Sequence, residues 1–209
     1  LLEVDTHVRQ TGKRDNLVTK LRTGFYVERK DREFSARWFS YTRANLTSFD
    51  NSLLSQPLDQ IFAPINVNGT SGFTLSEGTK PNDRYTADNT LAAAYVGLSV
   101  PLNDKLNLSG GFRGEYNVQR LQTRNLGNAR VSVDNPIFSP LPSLNLSYNF
   151  SPRSLIRAAY FMSINRPEFR ELSPFSYYDF NFDVNIVGNP NLKTPSIHNV
   201  DFRYELYPS

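Results

Sequence analysis

The chain has 209 residues, with 23 Lys and Arg against 20 Asp and Glu, two His and no Cys. Without cysteine, disulfide scaffolds, thiolate catalysis and thiolate-bound zinc or iron–sulfur sites are excluded, and two imidazoles do not make a histidine metal cluster. No run approaches the ~20 apolar residues of a membrane-spanning helix, and the slight basic excess is mixed, as in Glu28-Arg29-Lys30-Asp31-Arg32-Glu33, rather than clustered as nucleic-acid binding requires.

The aromatic load is high, with 15 Phe, 11 Tyr and one Trp, which separates the chain from disordered sequences. Yet its mean hydropathy is only -0.47. The pattern along the chain reconciles the two, because nearly every segment alternates with period two, the signature of strands that present two different faces. First, Leu2, Val4, Thr6 and Val8 oppose Glu3, Asp5, His7 and Arg9. After a polar turn at Thr11 to Asn16, Leu17, Leu21, Phe25 and Val27 oppose Lys20, Arg22 and Glu28 in a strand expected to continue through Arg37 to Tyr41. A long connection from Ala44 to Asn89 carries Pro57, Pro64, Pro81, Gly69, Gly72 and Gly78, which argues against regular structure throughout it.

Thr90 to Leu102 is the next strand, with Ala92, Ala94, Val96, Leu98 and Val100 on its apolar side, followed by a turn at Asn103-Asp104-Lys105. The clearest alternation runs from Leu106 to Gln119. Leu106, Leu108, Phe112, Tyr116 and Val118 share one face there, opposite Asn107, Ser109, Arg113, Glu115, Asn117 and Gln119. A second long connection is expected from Gln122 to Leu141. Leu144 to Phe150 and Ile156 to Asn165 then form strands around a turn at Ser151 to Ser154. The third long connection, Arg166 to Ser196, contains Phe169, Phe175, Tyr177, Tyr178, Phe180 and Phe182 and is expected to be packed rather than loose. The last strand sets Val200, Phe202, Tyr204 and Leu206 against Asn199, Asp201, Arg203 and Glu205, before a turn at Tyr207 to Ser209.

About seven long strands therefore make an all-β, antiparallel up-and-down meander. Short and long connections alternate, so tight turns fall at one edge and long loops at the other. A soluble β-sandwich, such as a carbohydrate-binding module, does not require that sorting. An outer-membrane barrel does: its strands alternate lipid-facing and lumen-facing side chains between short periplasmic turns and long extracellular loops, with aromatic girdles. The barrel is the expected class, with the sandwich as first alternative and an outer-membrane enzyme using lumen acids as second.

The stretch Asn165-Arg166-Pro167-Glu168-Phe169-Arg170-Glu171-Leu172, then Pro174-Phe175-Ser176-Tyr177-Tyr178, then Gly188-Asn189-Pro190-Asn191-Leu192, closely resembles the distal barrel of TonB-dependent outer-membrane receptors. Gly110 to Tyr116 and Leu141 to Tyr148 are similar to strands of that family. The resemblance implies a barrel of 22 strands closed by an N-terminal plug, located in the outer membrane of a Gram-negative bacterium. Residues 1–209 would then be part of one barrel domain, with the plug and the remaining strands outside them. It further implies uptake of a scarce nutrient such as a siderophore, cobalamin, glycan or peptide, energised by the inner-membrane TonB complex through the plug. Implied partners are outer-membrane lipid, that complex, the nutrient and a surface lipoprotein, with no nucleic acid, no cofactor, no metal and no enzymatic activity.

Arg113, Glu115, Arg157, Asp201, Arg203 and Glu205 are expected to face the lumen, because a charge on the lipid face costs about 2 to 4 kcal/mol at the midplane. The structural alternative to ligand contact is that they hydrate and brace the wall. The expected ligand loop comprises Arg166, Glu168, Phe169, Arg170, Phe175, Tyr177 and Tyr178, since recognition sits on loops held by a rigid scaffold. Glu168, Glu171, Asp179 and Asp183 read as solvated acids rather than a catalytic set, and His7 and His198 as structural. Gly110-Gly111-x-x-Gly114 lies within a strand, so it marks a close backbone approach and not a nucleotide loop.

Overall fold

The computed structural model describes residues 8–11 and 18–208. Its strands are β1 (Val8–Thr11), β2 (Val18–Ser35), β3 (Phe39–Arg43), β4 (Phe73–Glu77), β5 (Arg84–Pro101) and β6 (Leu106–Arg124). They continue as β7 (Arg130–Ser151), β8 (Ser154–Ile164), β9 (Ser176–Asp179), β10 (Val184–Val187) and β11 (Ser196–Leu206). Seven of them form one sheet in the order β1-β2-β5-β6-β7-β8-β11, and every pairing in it is antiparallel. The sheet is all-β and open, with β1 and β11 at its edges. The part of the first predicted strand that precedes Val8 lies outside the described residues.

The uninterrupted pairing of β2, β5, β6 and β7 carries one side-chain row across several strands, such as Val27, Ala92, Tyr116 and Phe138. Period-two alternation therefore makes two continuous faces. On the outer one lie Phe25, Val27, Val96, Leu98, Phe112, Tyr116, Phe138 and Leu144, all exposed. Among the described residues no second sheet covers Phe112, Tyr116 or Phe202, which are 46%, 51% and 69% exposed. A sandwich would have buried them. On the inner face Glu115, Asn117 and Gln119 are buried instead.

At the lower edge the turns are tight. Asn103 Oδ1 accepts from the amides of Lys105 and Leu106 at 2.8 and 2.9 Å, and the Arg153 amide donates to Ser151 Oγ at 3.2 Å. The upper edge carries the longer connections, with one correction. The predicted loop from Gln122 to Leu141 is mostly strand, because β6 runs on to Arg124 and β7 begins at Arg130. Asn128, at a positive φ of 64°, helps close the turn between them. Pro136, Pro140 and Pro142 suggest a loop, yet they sit at even positions of β7. The odd-numbered Asn149 donates its amide toward the β6 side, to Lys105, at 2.8 Å. The prolines therefore lack their N–H on the opposite side, where β7 pairs with β8 only from Ser143 onward. Pro is tolerated at such an edge.

Two further differences lie in the first long connection. β2 stops at Ser35, and Phe39–Arg43 turns away to pair with β4, instead of prolonging β2 to Tyr41. β5 starts at Arg84, inside the stretch expected to be loop. The remainder is ordered around Phe49, Leu53 and Phe73, with short helical turns at Asn51–Ser55, Leu58–Ile61 (α1) and Pro64–Asn66. Within the sheet, a Cβ on Gly111 would lie 2.6 Å from the Val96 carbonyl oxygen. The glycine there permits the close approach of two backbones.

Candidate functional site

Beyond Ile164 the chain does not continue upward but folds onto the inner face. A single helical turn, α2 (Phe169–Leu172), is held by a capping box in which Glu168 and Glu171 exchange side-chain and backbone hydrogen bonds. These two acids are thereby used locally. So are Asp179, whose carboxylate accepts the Asn181 amide at 2.9 Å, and Asp183, which accepts from the Tyr178 hydroxyl.

Leu172, fully buried, packs with Tyr85, Ala87 and Leu121, and Phe34, Val133 and Phe169 lean on that cluster. Phe34 stacks on Tyr85 and meets Phe175 edge-on, each with centroids 5.0 Å apart. Polar contacts complete the seam. Gln119 Nε2 donates to the Pro167 carbonyl at 2.8 Å, and Asn82 Nδ2 to the Pro174 carbonyl at 2.8 Å. The Arg166 guanidinium binds Glu115, which Arg113 also holds at 2.6 Å. Glu115 is only 7% exposed, so this carboxylate with its two guanidiniums is the electrostatic lock between sheet and loop.

The two sequence elements that looked most distinctive form one unit. A Cβ on Gly188 would lie 2.0 Å from the Ser173 carbonyl oxygen and 2.6 Å from that of Arg170, so only glycine lets this backbone lie against the end of α2. Next to it, the Asn189 amide donates to the Glu171 carbonyl at 2.6 Å. The segment Asn165 to Leu172 is thus bracketed by the sheet on one side and Gly188-Asn189 on the other.

Between β2 and this loop lies a cavity of about 620 Å³, lined by Glu28, Lys30, Arg32, Arg166, Glu168 and Phe169 together with Gln119 and Asn89. Lys30 pairs with Glu28 at 2.6 Å. Arg170 leaves the cavity and lies 4.4 Å over the Tyr177 ring, and Phe175 is buried behind it. Tyr178 is exposed on the β9–β10 hairpin, where Phe180 and Phe182 are also exposed. The aromatic loop is therefore packed at its base and bare at its tip, which corrects the expectation that all of it packs. Of the expected loop residues, the fold brings Arg166, Glu168 and Phe169 to the cavity and places Tyr178 away from it.

Arg113, Glu115, Arg157, Asp201, Arg203 and Glu205 all take inner-face positions by strand parity. Arg157 and Arg203 approach Glu205 at 3.5 and 3.9 Å, and Arg203 approaches Asp201 at 3.8 Å. These form a mutually neutralising patch far along the sheet from the Glu115 lock. His198 faces outward on β11, with its Nδ1 2.9 Å from the Tyr160 hydroxyl, while His7 lies outside the described residues. Among the described residues no group of three or more His, Asp or Glu is arranged to hold a metal ion.

Sequence reasoning did not single out Lys30, Arg32, Asn82 or Gln119. Gln119 carried a usable signal, since it shares the inner parity of Glu115 two repeats of the pleat higher. Asn82 carried none, because its contact with Pro174 spans 92 positions of the chain.

Comparison with known families gives a match of residues 60–208 to the model of the outer membrane protein beta-barrel family. No curated protein matches the chain.

Proposed function

The chain belongs to the outer membrane protein beta-barrel family and sits in the outer membrane of a Gram-negative bacterium, and we propose that it is the distal part of the barrel of a TonB-dependent receptor. In this reading the open edges at β1 and β11 join further strands of the same barrel, and a plug fills its lumen. The receptor is not an enzyme. It takes up a scarce nutrient, such as a siderophore, cobalamin, glycan or peptide, with energy relayed by the TonB complex through the plug. A surface lipoprotein completes the set of partners.

The observation that carries the proposal is the inward-folded loop, bolted to the lumen wall through Arg166 and Glu115 above a charged cavity of about 620 Å³. A loop held against the lumen wall beside a charged cavity supplies the shaped, charged surface on which a receptor recognises a solute.

Uptake by cells carrying the full-length receptor tests this. Radiolabelled ferric siderophore, cobalamin, oligosaccharide and peptide are offered singly to the parent strain, a receptor deletion, and a strain lacking TonB. One of the four should enter in a receptor-dependent and TonB-dependent manner, and Arg166→Ala with Phe169→Ala should slow it at unchanged receptor level. Equal uptake with and without TonB would sink the receptor reading, and recovery of a chemically altered solute would favour the enzyme.

A further inference from the structure

The outer face changes character toward its upper edge. Above the row Val27, Ala92, Tyr116 and Phe138 comes the mixed row Arg29, Thr90, Val118 and Pro136, and the row Asp31, Asp88, Arg120 and Asp134 beyond it is charged throughout. That row neutralises itself: Arg120 reaches Asp88 at 3.7 Å and Asp134 at 3.5 Å, and Asp31 binds Arg29 at 2.8 Å. The topmost row does not. Arg124 pairs with Arg130 across β6 and β7, and Arg84 stands beside Arg124, one step past the Tyr85–Thr123 pair.

Three arginines thus take adjacent positions on neighbouring strands, and like charges placed opposite one another repel unless an anion intervenes. Arg124 binds the carbonyl and side-chain oxygens of Asn128, at 2.9 and 3.1 Å, and among the described residues has no acidic partner. Among the described residues Arg84 and Arg130 have no acidic partner, and Glu33, the one acid in the same depression, pairs with neither. The depression they line has a volume of about 670 Å³. Its inner side is sealed, since Tyr85 and Thr123 are buried, so it opens toward the membrane environment.

We propose that this depression binds the phosphorylated sugar head group of an outer-leaflet glycolipid. Arginine forks match phosphate oxygens bidentately. Height selects the lipid: Arg124 lies six positions beyond Val118, the last apolar outer residue of β6, roughly 15 Å higher once strand rise and tilt are allowed for. A plain phospholipid holds its phosphate at the interface, level with the row Asp31, Asp88, Arg120 and Asp134, where the guanidinium is already taken up by two carboxylates. Only an anion carried outward on sugars reaches the arginine row.

The test uses the full-length receptor purified from outer membranes, its triple variant Arg84→Gln, Arg124→Gln, Arg130→Gln, and the single variant Arg130→Gln. Binding is measured against purified lipopolysaccharide, the same material after enzymatic dephosphorylation, phosphatidylglycerol vesicles and inorganic phosphate. Phosphorylated lipopolysaccharide should bind the unmodified receptor tightest, about tenfold more weakly to the triple variant, and less at high salt. Undiminished binding by the triple variant, or equal binding of the dephosphorylated glycolipid, would overturn the proposal. So would vesicles or inorganic phosphate binding as well as lipopolysaccharide. Should the triple variant fail to fold, Arg130→Gln decides, because this exposed side chain supports nothing else: unchanged binding there refutes the site.

Discussion

The two faces of β6 invert the usual rule of protein surfaces. Phe112 and Tyr116 stand exposed on one side, while Glu115, Asn117 and Gln119 are buried on the other. In water this arrangement would be costly on both counts. In a bilayer it is favourable, because hydrocarbon solvates the outer face, and the inner polar groups are satisfied by one another and by the folded loop. The comparison teaches that burial is not the measure of an interior here: the environment each face meets decides which residues it tolerates.

Substitutions that exchange the two chemistries should break this asymmetry most. Phe112→Arg places a charge near the middle of the outer apolar band and should destabilise the receptor in lipid by about 2 to 4 kcal/mol. Asn145→Arg, at an exposed inner position of β7, should stay within about 0.5 kcal/mol. Urea unfolding of the lipid-reconstituted receptor measures both, and equal losses would mean that the faces do not meet different solvents. Next in size, Leu172→Ala removes the fully buried anchor of the loop and should weaken its docking by about 3 kcal/mol. Faster protease cleavage between Arg166 and Phe175, with the barrel intact, is the expected readout.

Glu115→Gln should have a somewhat smaller effect on the same cleavage, about 2 kcal/mol, because it removes the carboxylate that holds Arg113 and Arg166 but leaves an amide to hydrogen-bond them. The smallest effect lies in the solvent-exposed β3–β4 hairpin. There Arg37 and Thr79 hold the Glu77 carboxyl down at about 2, from an ordinary 4.5. Since the folded value is depressed, the contribution of this pair is complete above about 4.5 and is lost as pH falls toward 2. An NMR titration of Glu77 should show that midpoint, and Arg37→Gln should return it to the ordinary range.

How much of this was legible from residues alone differs by element. The parity of Leu106 to Gln119 was plain, because every second side chain of a strand points the same way whatever it packs against. The lower turns were legible for the same local reason: Asn103 makes its turn with hydrogen bonds to residues two and three positions on. The β6–β7 hairpin is less legible, because three prolines interrupt the alternation that Val131, Val133 and Ile137 begin. What makes those prolines acceptable is that, among the described residues, no strand pairs with that side of β7 before Ser143, a fact of sheet topology. The loop elements around Asn165 and Gly188 could be recognised as distinctive, but that they clasp each other through α2 could not be read from either.

The amino-acid sequence by itself therefore determined the class of the fold and the chemistry of its two faces, since alternation and tight turns are set by backbone geometry and nearest neighbours. The tertiary structure decided where the strands end, which acids are locked and which are solvated, and that three arginines drawn from three strands meet in one row. Those features depend on pairing register and on contacts between residues distant along the chain, such as Gln119 with Pro167 and Glu115 with Arg166, and no local pattern encodes a distance that only the folded chain brings to zero.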